Sequence, residues 1–248
     1  MLRSKLIEQK AGLKPGWRWR GHEISRIEGF SDAVFAFAIT LLVVSLEVPK
    51  TFQELYDTMR GFLSFAISFA LLFQLWHSQY TFFRLYGLQD GMTILLNSML
   101  LFMVLFYVYP LKFLFNMLVI QFSGGSLLVK GHDGQMEEML TDAQAPTLMV
   151  IYGLGVFAVF AFLALMHWHA LRKREELELS NLELFDTRTS VWSHGYSASV
   201  GVTSVLIAKS GFTGAAFYSG MLYAFAMPIG HTLLGMLRGR KKRRLLNL

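Results

Sequence analysis

Cysteine is absent from the 248 residues, so disulfides and thiolate metal sites are excluded. Charge is scarce as well: Asp, Glu, Lys and Arg make up 16% of the chain against 54% hydrophobic residues, and the mean hydropathy is positive. That balance is too apolar for a soluble domain of this size and points to an integral membrane protein. The basic segment through His22 lacks an apolar core followed by a small-residue cleavage site. No cleaved signal peptide is therefore expected, and the first membrane segment stays in the mature protein. No G-x-S-x-G, P-loop or supported paired-carboxylate pattern is present, and the glycine-rich residues 124–134 lack the Lys-Ser/Thr ending of a phosphate cradle. An enzyme is thus not expected, nor is any cofactor. His167-x-His169 invites a metal reading, but residues two apart point to different sides of a helix, and the pair reads instead as interfacial histidines. A net charge of +6 would suit a nucleic-acid binder, yet the basic residues sit in tails and alternate loops rather than along a groove. No nucleic-acid partner is expected.

Six apolar segments long enough to cross a bilayer are present, at about 29–48, 61–83, 92–119, 146–169, 189–208 and 212–237. They predict an all-α integral membrane protein with six transmembrane helices in one unit, 26–237. A basic N-terminal tail, 1–25, precedes this unit and a basic tail, 238–248, follows it. In the first tail, Trp17 and Trp19 lie among Arg and Lys, a composition suited to the lipid headgroup region. Pro49 stops the first span, Pro146 starts the fourth, and Pro110 should kink or divide the third. Residues 50–60 read as a short polar loop, and 120–145 as a long, mobile loop without periodicity. Six spans place both termini on one side. On that side lie eighteen of the 23 Lys and Arg, against five opposite, which makes the termini cytoplasmic.

The stretch 26–46, RIEGFSDAVFAFAITLLVVSL, carries the most unusual chemistry. An aspartate near the start of a membrane-length apolar run is costly unless it has a partner or faces water, so Asp32 is a functional-site candidate. On a helix, Phe30, Ala33, Phe37, Thr40 and Val44 form one stripe with Leu41 at its edge, while Val34, Ala38, Leu42 and Ser45 form the packing face. Glu28, a like charge, lies four residues before Asp32, so the partner must come from another helix. Ser31, Asp32, His77 and Asn97 fall at the same membrane level by topology and would satisfy one another as a three-helix cluster. Such a cluster is either a structural clamp, the preferred reading, or a proton-sensitive gate.

Arg26-x-x-x-Phe30-Ser31-Asp32, continuing Ala-Val-Phe-Ala-x-Ala-Ile-Thr-Leu-Leu, resembles the first-helix signature of the transmembrane protein 175 family of potassium channels, particularly its prokaryotic members. Trp76-His77 and Asn97, with an apolar run ending in Tyr109-Pro110, extend the resemblance across roughly residues 26–110. It implies a potassium-preferring channel of the cell membrane, built as a homotetramer whose first helices surround the pore. Hydrophobic constrictions on those helices stand in for a backbone-carbonyl filter, and no Thr-Val-Gly-Tyr-Gly loop occurs here. Carried over by position, the constriction is Phe37, Thr40 and Val44, with Leu41 beside them. Arg26, Phe30, Ser31, Asp32, His77 and Asn97 would lock the helices together. One departure is Phe37, where the family usually has an aliphatic residue. The competing reading is a proton-coupled transporter or proton channel using Asp32 and His77 as a relay. Transporters often show two related halves, and residues 146–248 hold no second Phe-Ser-Asp.

Overall fold

The computed structural model describes residues 17–21, 23–44, 50–60, 62–122, 124, 126–130 and 135–245. Within these, six long helices follow one another: α1 (Arg26–Val44), α3 (Phe62–Tyr86), α4 (Gly91–Phe122), α5 (Ala145–Arg172), α6 (Asn181–Ala208) and α7 (Ala215–Leu245). A short helix, α2 (Phe52–Arg60), lies between α1 and α3, and a two-stranded hairpin, β1 (Leu128–Lys130) with β2 (Met136–Glu138), lies between α4 and α5. Among the described residues, three stretches are long and apolar enough to cross a membrane by themselves: Gly91–Gln121, Ala145–Arg172 and Ala215–Gly239.

Two of these elements correct the sequence reading. Residues 50–60 are not only loop. Phe52, Leu55, Tyr56 and Met59 recur at helical spacing and form one exposed apolar face on α2, which suits a helix lying along a bilayer surface. The long connection after α4 is not wholly irregular either, because β1 and β2 pair antiparallel with Val129 opposite Glu137.

Local chemistry explains where the long helices begin. Pro146 sits in the first turn of α5, where its missing N–H costs nothing. At the start of α6, the Ser180 hydroxyl accepts from the Glu183 amide, and the Glu183 carboxylate accepts from the Ser180 amide. This capping box lets α6 begin within the charged connector, eight residues before the apolar run. Pro110 does not divide α4, which continues through it to Phe122. The Tyr152 hydroxyl donates to the Pro110 carbonyl at 2.6 Å, tying this turn to α5.

Two apolar clusters join the helices. Phe35, Ala38 and Leu42 of α1 pack with Leu72 of α3 and with Leu101, Val104 and Val108 of α4. Phe82, Phe83 and Tyr86 of α3 pack with Leu163, Met166 and Ala170 of α5. Trp17 belongs to the second cluster, which corrects its assignment to the headgroup region. Its indole donates to Asp186 at 2.8 Å, and the Arg20 guanidinium forks onto both oxygens of Glu183 at 3.0 Å. Both carboxylates are buried, and a buried carboxylate needs such a partner. Burial alone would raise the Glu183 carboxyl, but the Arg20 side chain and the Ser180 and Arg18 amides hold it below its ordinary value.

α5 and α6 approach backbone to backbone at Gly153 and Gly201. A Cβ on Gly201 would lie 2.7 Å from the Phe157 nitrogen and 2.8 Å from the Gly153 oxygen, both backbone atoms that cannot yield. Gly201→Ala should therefore lower the thermal midpoint in detergent by the equivalent of about 1–3 kcal/mol. Gly195→Ala on the same helix, where a Cβ meets nothing within 4 Å, should leave the midpoint unchanged or slightly higher.

Candidate functional site

α1 presents two faces of different character. Ser25 opens it, with its hydroxyl accepting from the Glu28 amide at 3.3 Å and the Glu28 carboxylate accepting from the Ser25 amide at 3.2 Å. Glu28, Ser31, Phe35, Ala38 and Leu42, three and four residues apart, are buried against α3 and α4. The expected packing face is thus observed for Ala38 and Leu42, with Val34 partly buried beside them; Ser45 lies outside the described residues. Phe30, Ala33, Phe37 and Thr40 are exposed on the subunit, Phe30 at 61% and Phe37 at 56%. Leu41 is half-buried at the edge, packed on the α1–α3–α4 cluster. The Thr40 hydroxyl donates to the Ala36 carbonyl at 2.9 Å, which satisfies its proton within the helix. Val44 ends α1, and its side chain lies outside the described residues.

A polar lock holds this helix in place. The Asn97 amide of α4 donates to the Ser31 hydroxyl at 2.9 Å, Ser31 donates to the Ile27 carbonyl at 2.7 Å, and the Gln79 amide of α3 donates to the Asn97 oxygen. All three side chains are at most 1% exposed, so three helices meet through a fully buried hydrogen-bond chain. Asp32 lies on the outer side of this chain and accepts from the Trp76 indole at 2.7 Å. The expected cluster thus contains Ser31 and Asn97, with Asp32 adjacent. His77 lies elsewhere: its ring is exposed and stacks on Tyr80. Arg26 and Phe30 are likewise exposed on the subunit rather than packed within it. Gln79 takes the place expected of His77 because the buried face of α3 runs through Ser64, Ser68, Leu72, Gln79, Phe82 and Tyr86. Residue 77, two positions from Gln79, falls on the opposite side.

The far end of α1 is tied separately, by Lys112 of α4, whose ammonium donates to the Leu42 carbonyl at 2.9 Å. His167 and His169 diverge as expected for residues two apart, but His167 is buried among Phe82, Tyr86 and His194 rather than interfacial. His169 bonds the Asp90 carboxylate at 2.7 Å, beside Lys173 at 2.9 Å. Burial would raise the Asp90 carboxyl, but hydrogen bonds from Thr93, Lys173 and His169 outweigh it and hold the group well below the usual carboxylate range. Among the described residues, no three His, Asp or Glu side chains gather in an arrangement able to hold a metal ion.

Comparisons with known proteins bear on this helix directly. The family described as the endosomal/lysosomal potassium channel TMEM175 matches residues 26–107, the stretch that contains α1, the lock and most of α4. A potassium channel from Marivirga tractuosa is 42% identical over 245 residues, covering 98% of both chains. The chain belongs to the TMEM175 family of potassium channels. Potassium channel Cha6605_3372 of Chamaesiphon minutus is 34% identical over 39% of this chain and 52% of its own length. A variant of the potassium channel MtTMEM175, crystallised with a nanobody–MBP fusion protein, superposes with a TM-score of 0.79 at 39% identity, over 94% of this chain and all of that one. Family relatives and structural neighbours are thus channels and not enzymes.

Proposed function

We infer that this chain is one subunit of a potassium-preferring cation channel in the cell membrane, its termini cytoplasmic, and that four copies assemble with α1 of each around a central pore. The observation that carries the reading is the division of α1. One face is fixed to its own subunit by apolar packing and a buried polar lock, while the other presents Phe30, Ala33, Phe37 and Thr40 to the outside. A helix held so firmly on one side, with a continuous exposed stripe on the other, is suited to line a symmetric pathway. Phe37, Thr40, Leu41 and Val44 form its narrow part, where hydrophobic side chains stop ions by dewetting. Asp32 and Asn97 position α1 and do not touch the ion. Membership of a potassium-channel family and near full-length identity to a bacterial potassium channel support the choice of ion.

Recording from the purified protein in a planar bilayer under a potassium/sodium gradient tests this reading. The expected result is stepwise current that reverses toward the potassium equilibrium potential. Coupled, saturable flux without channel steps, or no current at any voltage, contradicts it.

A further inference from the structure

Away from α1, a cavity of about 230 Å³ opens between the first half of α6 and the second half of α7. Its walls carry Thr189, Ser190, Ser193, His194, His231 and Arg238, with no carboxylate among the lining residues. The buried acid bonded to Arg238, Asp186, is already engaged. Arg238 grips it at 2.6 and 2.8 Å, and the Trp17 indole donates to its other oxygen at 2.8 Å. His231 is oriented by two hydroxyls, with Ser197 at 2.9 Å on one ring nitrogen and Ser193 at 3.2 Å on the other. Arg238 uses its Nε and one Nη on Asp186, so the cavity offers the remaining N–H groups of that guanidinium together with imidazoles and rotatable hydroxyls, donors of the kind an anion takes.

Its surroundings narrow the anion further. Below the cavity α7 leaves its apolar stretch and runs into Arg240, Lys241, Lys242, Arg243 and Arg244. On the same turn of α6, Trp192 is 74% exposed, and Leu233 and Leu237 are exposed on α7. A cavity rich in hydrogen-bond donors between membrane helices, flanked by exposed apolar side chains where the chain becomes basic, is placed where a phosphate headgroup and its acyl chains would both find partners. We propose that this α6–α7 cavity is a phosphate-binding site, remote from the α1 stripe, that takes the headgroup of an anionic phospholipid or a soluble phosphate.

Two substitutions empty the site without breaking the fold. A side chain at Gly235, which lines the cavity, meets no atom within 4 Å of its Cβ, so Gly235→Leu fills the space with an aliphatic chain and replaces a poor helix former. Ser193→Asp keeps an oxygen within reach of His231 but adds a negative charge. The test measures the thermal midpoint of the purified full chain in detergent, titrated separately with dioctanoyl phosphatidylglycerol and with inorganic phosphate. The unsubstituted chain should be stabilised in a saturable way, and both variants should weaken the effect by at least about tenfold. Saturation at a lower concentration of the lipid identifies a headgroup site, and stabilisation by inorganic phosphate alone identifies a soluble ligand. No stabilisation by either compound, or stabilisation unchanged in both variants, overturns the proposal.

Discussion

Replacing Phe37 by alanine should raise potassium flux through the reconstituted protein about tenfold, the effect of lowering the barrier by roughly 1.4 kcal/mol. Phe37 is 56% exposed on the subunit and makes no part of the buried clusters that hold α1. Its removal therefore leaves the packing of the subunit intact, and alanine is the better helix former. If four copies surround the pore as proposed, the substitution would delete four rings at one level, widening the constriction and easing its wetting. The neighbouring aromatic provides the contrast. Phe35 is 2% exposed in the α1–α3–α4 cluster, so Phe35→Ala should cost about 3–5 kcal/mol of stability and reduce flux through loss of folded protein. Liposome flux assays on the two variants read both effects, and an unchanged flux in Phe37→Ala would remove that residue from the gate.

The second large effect is expected at the lock. Asn97→Leu deletes the acceptor of the Gln79 amide and the donor to Ser31 at a point where all three side chains are buried. An interhelical hydrogen bond in a membrane contributes about 0.6 kcal/mol on average and up to about 1.7. Orphaning a buried polar group costs more, about 1–3 kcal/mol. The orphaned Gln79 amide should thus dominate, because Ser31 retains its bond to the Ile27 carbonyl. Thermal unfolding in detergent should show a loss of about 2–3 kcal/mol, with flux reduced as α1 loosens from α3 and α4. Changing Gln79 to leucine as well removes the orphan and should recover part of the loss. A double variant less stable than the sum of the two single variants would mean that the hydrogen-bond chain is not what holds the helices.

Much of this architecture was legible in the residues. Membrane-length apolar runs announce themselves by composition alone, since a segment facing lipid must be apolar along its whole length. The stripe Phe30, Ala33, Phe37 and Thr40 follows from helical spacing, and so does the opposite packing face. Asp32 signals that a partner is needed, but not which one. Trp76 is part of the family resemblance, but its role as the donor follows only from the packing of α3 against α1. Gln79 was the residue to choose over His77, because it continues the three-and-four spacing of the buried face of α3 through Leu72 and Phe82. His77 has suitable chemistry but lies on the exposed face of α3.

Other signals were present and outweighed. Ser180-x-x-Glu183 is a capping box lying inside a run of charges, and the charges suggested a connector. Phe52, Leu55, Tyr56 and Met59 keep a helical period in a segment too polar to cross the membrane. The docking of Trp17 and Arg20 on α6 has no local signature, because their partners lie more than 160 residues away. Basic and aromatic residues in a tail favour a headgroup reading until the buried carboxylates that they satisfy are located.

The absence of cysteine allows a direct test of where the ions pass. A single thiol at Thr40→Cys, on the exposed stripe of α1, can be compared with one at Ala38→Cys, on the buried face at 0% exposure. Bilayer current is recorded before and after a membrane-impermeant cationic thiol reagent is applied. If the stripe lines the pathway, the reagent abolishes current through the Thr40→Cys channel and leaves the Ala38→Cys channel unaffected. Current through Thr40→Cys that persists after the reagent, although labelling is shown to be complete, would contradict a pore lined by α1.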